Sequence, residues 1–131
     1  MKLSNLFIVT ILTAFVFTTG CNTKKAKDLI ITKWQVTNIA GKGGELIPDS
    51  LKTKMYKEAT IEFKGDGKYE TIGMSNGINT GTYHLTTDEK SLITVEEGST
   101  KQDTVNIVEL TSGKMVVQDS KGDIKISFKS H

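Results

Sequence analysis

From Trp34 onward, short runs of alternating apolar and polar residues are cut repeatedly by turn-forming clusters. Alternation with a period of two puts successive side chains on opposite faces of an extended chain, which is the mark of a half-buried strand. Residues 59–64 show it plainly: Ala59, Ile61 and Phe63 fall on one side, Thr60, Glu62 and Lys64 on the other. Ile124, Ile126 and Phe128 alternate in the same way with Lys125, Ser127 and Lys129. Between such runs stand Gly65-Asp66-Gly67, Ser75-Asn76-Gly77, Glu97-Gly98-Ser99-Thr100, Thr111-Ser112-Gly113 and Asp119-Ser120-Lys121-Gly122. Gly, Asp and Asn supply the backbone conformations of tight reversals.

This punctuation predicts eight strands: residues 33–39, 59–64, 68–74, 79–85, 91–96, 103–110 and 114–118, and a last one after Gly122. The apolar period slips between Tyr69 and Ile72, which predicts a bulge in the third strand. After the first strand, Gly41-Lys42-Gly43-Gly44 breaks the chain. Residues 51–57 then read as a short helix capped by Asp49, with Leu51 and Met55 on one face. Short connections make sequence neighbours antiparallel partners. A flat meander would leave two open edges, and closing the sheet removes them. The expected fold is therefore all-β: an eight-stranded antiparallel up-and-down barrel with one short helix after the first strand.

The N-terminal stretch obeys other rules. Lys2 is followed by a mostly apolar run, Leu3–Phe17, interrupted by Ser4, Asn5, Thr10 and Thr13. That is too short and too interrupted for a membrane span, which needs about 20 apolar residues. A basic start, an apolar middle and small residues behind read as an export signal. Thr18-Thr19-Gly20-Cys21 resembles the bacterial lipobox, at which the leader is cut and the cysteine acylated. Cys21 is the only cysteine in the chain. The resemblance implies a signal peptide over residues 1–20, lipid attachment (palmitate or a similar acyl chain) at Cys21, a polar tether over 21–28 and a barrel domain over 29–131. Asn22-Thr23-Lys24-Lys25 carries no acidic run, which favours a membrane-held protein of the bacterial cell envelope that faces the periplasm.

Trp34-Gln35-Val36, Ala59–Tyr69 and Gly81-Thr82-Tyr83-His84-Leu85 together give the chain a wider likeness. It resembles the small lipocalin-like domains of bacterial lipoproteins common in Bacteroidota, over roughly Leu29–Lys129. The resemblance implies a barrel whose interior takes a small hydrophobic ligand. Larger lipocalins place Gly two residues before the first-strand Trp, where this chain has Thr32, and stack an Arg on that Trp. All 17 basic residues here are Lys.

Trp34, Val36, Ile61, Phe63, Tyr69, Tyr83, Leu85, Ile126 and Phe128 are the candidate ligand-binding set, because alternation turns them to one side. An interior of eight strands either fills with its own side chains or holds one small molecule. The alternative function is that of a filled barrel, an interaction or inhibitor lipoprotein acting on a protein partner through its loops, with residues 41–47 as the contact. Other chemistry finds no constellation. His84 falls on the opposite strand face from Tyr83 and Leu85, and His131 is terminal, so neither has a nucleophile at useful spacing. Asp66 belongs to a hairpin turn. Gly65–Lys68 lacks the glycine spacing and following helix of a phosphate loop. Asp119–Asp123 lacks the bidentate acid of a calcium loop. The 17 lysines interleave with 15 acidic residues, so no basic stripe exists for nucleic acid. No enzyme activity, cofactor or metal is expected.

Overall fold

The computed structural model describes residues 24–42, 58–74 and 77–131. A single helical turn, α1 (Ala26–Leu29), precedes eight strands: β1 (Lys33–Ala40), β2 (Thr60–Phe63), β3 (Lys68–Ile72), β4 (Ile78–Leu85), β5 (Ser91–Glu96), β6 (Gln102–Leu110), β7 (Lys114–Asp119) and β8 (Lys125–Ser130). Each strand pairs antiparallel with the next, and β8 returns to β1 to close the barrel. The all-β, eight-stranded closed barrel expected from the alternation is present. The helix expected over residues 51–57 lies outside the described residues. The helix that is described stands before β1, where the sequence reading has the end of a polar tether.

The expected bulge in β3 is absent. Residues 68–72 pair without a register shift on either side. Tyr69 and Thr71 face inward, and Ile72 turns outward against Ile78. The apparent slip came from reading Ile72 as an inward residue. Bulges occur instead in β1, between Val36 and Asn38, and in β6, between Ile107 and Glu109. Both sit where two inward apolar residues are three apart. Without the extra residue Thr37, Ile39 would point to solvent; with it, Val36 and Ile39 are both buried. The Thr37 hydroxyl donates to the Ser127 carbonyl at 3.0 Å across this irregular stretch. In β6 the spare residue is Val108, which is exposed, while Ile107 and Leu110 pack on the core.

The turns follow their residue types. In the β2–β3 hairpin, Asp66 Oδ1 accepts the Lys68 N–H at 3.1 Å and Gly67 takes a φ of 82°. Asp119 Oδ1 accepts the Ile124 N–H at 2.8 Å and closes the β7–β8 connection, so this carboxylate is a turn cap.

The barrel has two unlike ends. At one, α1 meets the β2–β3, β4–β5 and β6–β7 turns. Ile30, just after α1, is fully buried, as is Trp34. The Trp34 Nε1–H donates to the Ile30 carbonyl at 3.0 Å, and the Ala26 N–H donates to Glu89 Oε2 at 3.2 Å. Ile30 thus acts as a stopper, held from inside by the indole and from outside by the β4–β5 turn. The opposite end carries the long β1–β2 connection and the β3–β4, β5–β6 and β7–β8 connections.

Candidate ligand-binding interior

The nine apolar and aromatic residues singled out from alternation meet in one interior. Trp34, Val36, Phe63, Tyr69 and Phe128 are buried in it, and Ile61, Tyr83, Leu85 and Ile126 pack against them. The same interior contains Ala59, which alternation turns to the side of Ile61 and Phe63, and Ile30, Ile39, Leu92, Met115 and Val117, which alternation does not single out. Leu92 is followed by Ile93, and Met115-Val116-Val117 is an unbroken apolar run, so a period of two does not tell which of these side chains face inward. Ile30 precedes the first strand, and nothing in its local pattern announces a stopper.

Accessibility within this interior varies from residue to residue. Near α1, Ile30, Trp34, Phe63 and Met115 are all under 2% exposed. Surface that low means no water-sized sphere reaches them, from outside or from a void, so the packing around these four is solid. Phe63 packs edge-on to Tyr83, with ring centroids 4.8 Å apart. The Tyr83 hydroxyl donates to the Lys64 carbonyl at 2.7 Å, which ties it to the hairpin. Burial, with Asp66 adding to it, raises the Tyr83 pKa above the usual phenol value.

At the other end Ile39 and Ala59 are also buried, whereas Tyr83, Leu85 and Leu110, beside the α1-end turns, are only half-buried. Ile61, Val105 and Ile126 face inward yet keep partial exposure, as does Thr94. Beyond them the inward register brings polar groups. Tyr69 pairs with Gly81, Gly81 with Glu96, and Thr94 with Asp103, so Tyr69, Thr94, Glu96 and Asp103 share the inner face. Burial raises the Tyr69 pKa, and the negative charges of Glu96 and then Asp103 raise it further. The phenol therefore stands in the field of both carboxylates. Asp103 also meets Lys101 at 3.7 Å in an exposed pair. The acidic edge was missed from sequence because Glu96 and Asp103 flank a turn and read as ordinary surface charge.

Gly81 makes room for this arrangement. A Cβ there would press on the Val95 carbonyl oxygen and lie 2.7 and 2.9 Å from Cε1 and Cζ of Tyr69. The Tyr69 ring thus lies across the bare backbone of Gly81 toward β5. It lines the wall rather than crossing the lumen.

Two further concavities exist among the described residues. A cleft of about 440 Å³ flanks α1, lined by Lys27, Ile31, Gly65, Tyr83, Leu85 and Glu89 among others. A groove of about 290 Å³ over β3–β5 is lined by Lys64, Lys68, Thr82, Val95 and Glu97 together with Tyr69, Gly81 and Glu96, so it adjoins the acidic end of the interior. His84 is exposed on β4, and no group of acids, His or Cys suited to a metal occurs among the described residues. The candidate contact loop 41–47 lies outside the described residues beyond Lys42.

A closed eight-stranded barrel with a tryptophan on its first strand and a stoppered end narrows the choice of family. A model of the lipocalin-like domain matches residues 30–117. The chain belongs to the lipocalin-like domain family. Among solved structures, this lipocalin-like chain is similar to a lipocalin-like protein from Bacteroides uniformis, with a TM-score of 0.61 at 12% identity, covering 79% of this chain and 99% of that one. It is also similar to a DUF4847-family protein from Bacteroides vulgatus, with a TM-score of 0.59 at 15% identity over 79% and 94% of the two chains. A further protein from Bacteroides uniformis, solved by NMR, gives a TM-score of 0.53 at 20% identity over 80% and 91%. At these identities the likeness is one of fold. No curated protein matches the chain.

Proposed function

We propose that this lipocalin-like protein is a binding protein of the cell envelope, anchored to a membrane through lipid on Cys21 and facing the periplasm. Its ligand is a small amphipathic molecule. The apolar part lies against Ile61, Val105 and Ile126, and the polar end meets Tyr69, Thr94, Glu96 and Asp103. The observation that carries the reading is an interior only partly closed: solid around Trp34, accessible at Ile61, Val105 and Ile126, and acidic where Tyr69 meets Glu96 and Asp103. The carboxylate edge favours a head group that donates hydrogen bonds or carries positive charge, and disfavours a carboxylate. Anchoring is supported by the apolar leader ending at Gly20-Cys21. No helix among the described residues is long and apolar enough to cross a membrane.

The test is a titration of the lipidated protein in detergent with a fluorescent fatty-amine probe, displaced in turn by dodecylamine, dodecanol and dodecanoate. The expected order is amine, then alcohol, then carboxylate, and binding is lost in Val105→Trp, which fills the lumen. An absence of saturable binding for every head group would refute the binding function. Binding without that order would refute only the role given to the acidic edge.

A further inference from the structure

We propose that the α1 end of the barrel is the face that rests on the bilayer, with an anionic lipid surface as its partner. This rests on the anchor reading of Cys21 and adds to it an orientation and a contact surface.

The argument begins with reach. Only three peptide steps separate Cys21 from Lys24, the first described residue. A fully extended chain spans at most about 3.3–3.6 Å per residue, so Lys24 stays within roughly 11 Å of the acylated sulfur's backbone. From Ala26 onward the chain is held in place. Ala26 is fastened to Glu89 at 3.2 Å, and α1 leads directly into the buried Ile30. Ile30 is in turn bonded to Trp34 at 3.0 Å. A tether this short, attached to a fixed stopper, leaves the barrel no freedom to turn over. The opposite turns stand a strand's length further on, about 20 Å for six residues.

The chemistry of the face fits that placement. Lys24, Lys25 and Lys27 are exposed and form no ion pair among the described residues, and Ile31 is 45% exposed beside them. Lysines around an apolar side chain suit an interface of anionic head groups over acyl chains. Asp28, Asp66, Asp88 and Glu89 share this end, so the fit is a local one around the tether. Lys27 and Ile31 also line the cleft of about 440 Å³ between α1 and the hairpins, which then opens toward the lipid.

The orientation is tested on the full lipidated protein in vesicles of phosphatidylcholine with 30% phosphatidylglycerol. A fluorophore is placed at Ser112→Cys, in the β6–β7 turn of the α1 end, or at Ser120→Cys, in the β7–β8 connection of the opposite end. Both serines are exposed, and acylated Cys21 does not react. Energy transfer to a head-group acceptor is expected to be at least twofold greater from position 112. Lys24→Gln with Lys25→Gln and Lys27→Gln narrows that difference by loosening the contact. Equal transfer, or stronger transfer from position 120, in protein that floats with the vesicles would overturn the orientation alone. Protein that fails to float would overturn the anchor reading and the orientation with it.

Discussion

Replacing Gly81 by Ala is the most revealing single change in the wall. In an ordinary strand interior this substitution helps, because glycine loses more freedom on folding; the gain is about 0.4–1 kcal/mol. Here the new methyl meets the Val95 carbonyl oxygen and the Tyr69 ring, the latter at 2.7 and 2.9 Å. Carbon atoms prefer about 3.5–4.0 Å, so the ring must retreat by roughly 1 Å. The carbonyl belongs to the β4–β5 ladder, where Thr82 pairs with Val95, and retreats only if the strands part. Overpacking costs about 1–3 kcal/mol, and a backbone obstacle puts this site at the upper end. Subtracting the entropic gain leaves a loss of about 2 kcal/mol, or a Tm lower by roughly 10 °C for a domain of this size. Thermal and urea unfolding followed by circular dichroism measure it. The same change in a Tyr69→Ala background should cost less, because one of its two obstacles is gone. A neutral or stabilising Gly81→Ala would refute the account of how Tyr69 lies against the wall.

Trp34→Phe removes the donor to the buried Ile30 carbonyl and leaves a void where the indole was; the expected loss is about 2–4 kcal/mol by urea unfolding, with faster amide exchange at Ile30. Tyr69 and Tyr83 both hold their protons more tightly in the fold than free tyrosine does. Their contribution is therefore complete below the usual phenol range and is lost as pH rises through the raised values. The urea midpoint should fall between pH 9 and pH 11 by more in the wild type than in Tyr69→Phe. Glu96→Gln should move the Tyr69 titration down toward the ordinary value, read by ultraviolet absorbance; an unmoved titration would place Glu96 away from the phenol.

The barrel was legible because its strands obey a period of two and its turns use Gly, Asp and Ser where the backbone needs them. Phe63, Tyr83 and Phe128 could be assigned inward from their neighbours alone. Places where the period breaks were harder. Val36 and Ile39, like Ile107 and Leu110, are three apart, and only the observed register shows that a bulge keeps each pair inward. Ile72 misled because an apolar residue near a strand end can face out against another, here Ile78. Which inward residues are fully buried and which stay accessible was not legible at all. It depends on Ile30 closing one end from outside the strand pattern, and on Tyr69, Glu96 and Asp103 converging from separate strands.

The claim that a small molecule enters beside Ile61, Val105 and Ile126 while the packing around Trp34 stays solid is tested most directly by methyl-resolved NMR of the protein titrated with dodecylamine. The account predicts saturable shifts at Ile61, Val105 and Ile126, with Ile30 and Met115 unmoved. Shifts confined to the outward Ile78 and Val108, or no saturable shift at any inward methyl, would contradict it.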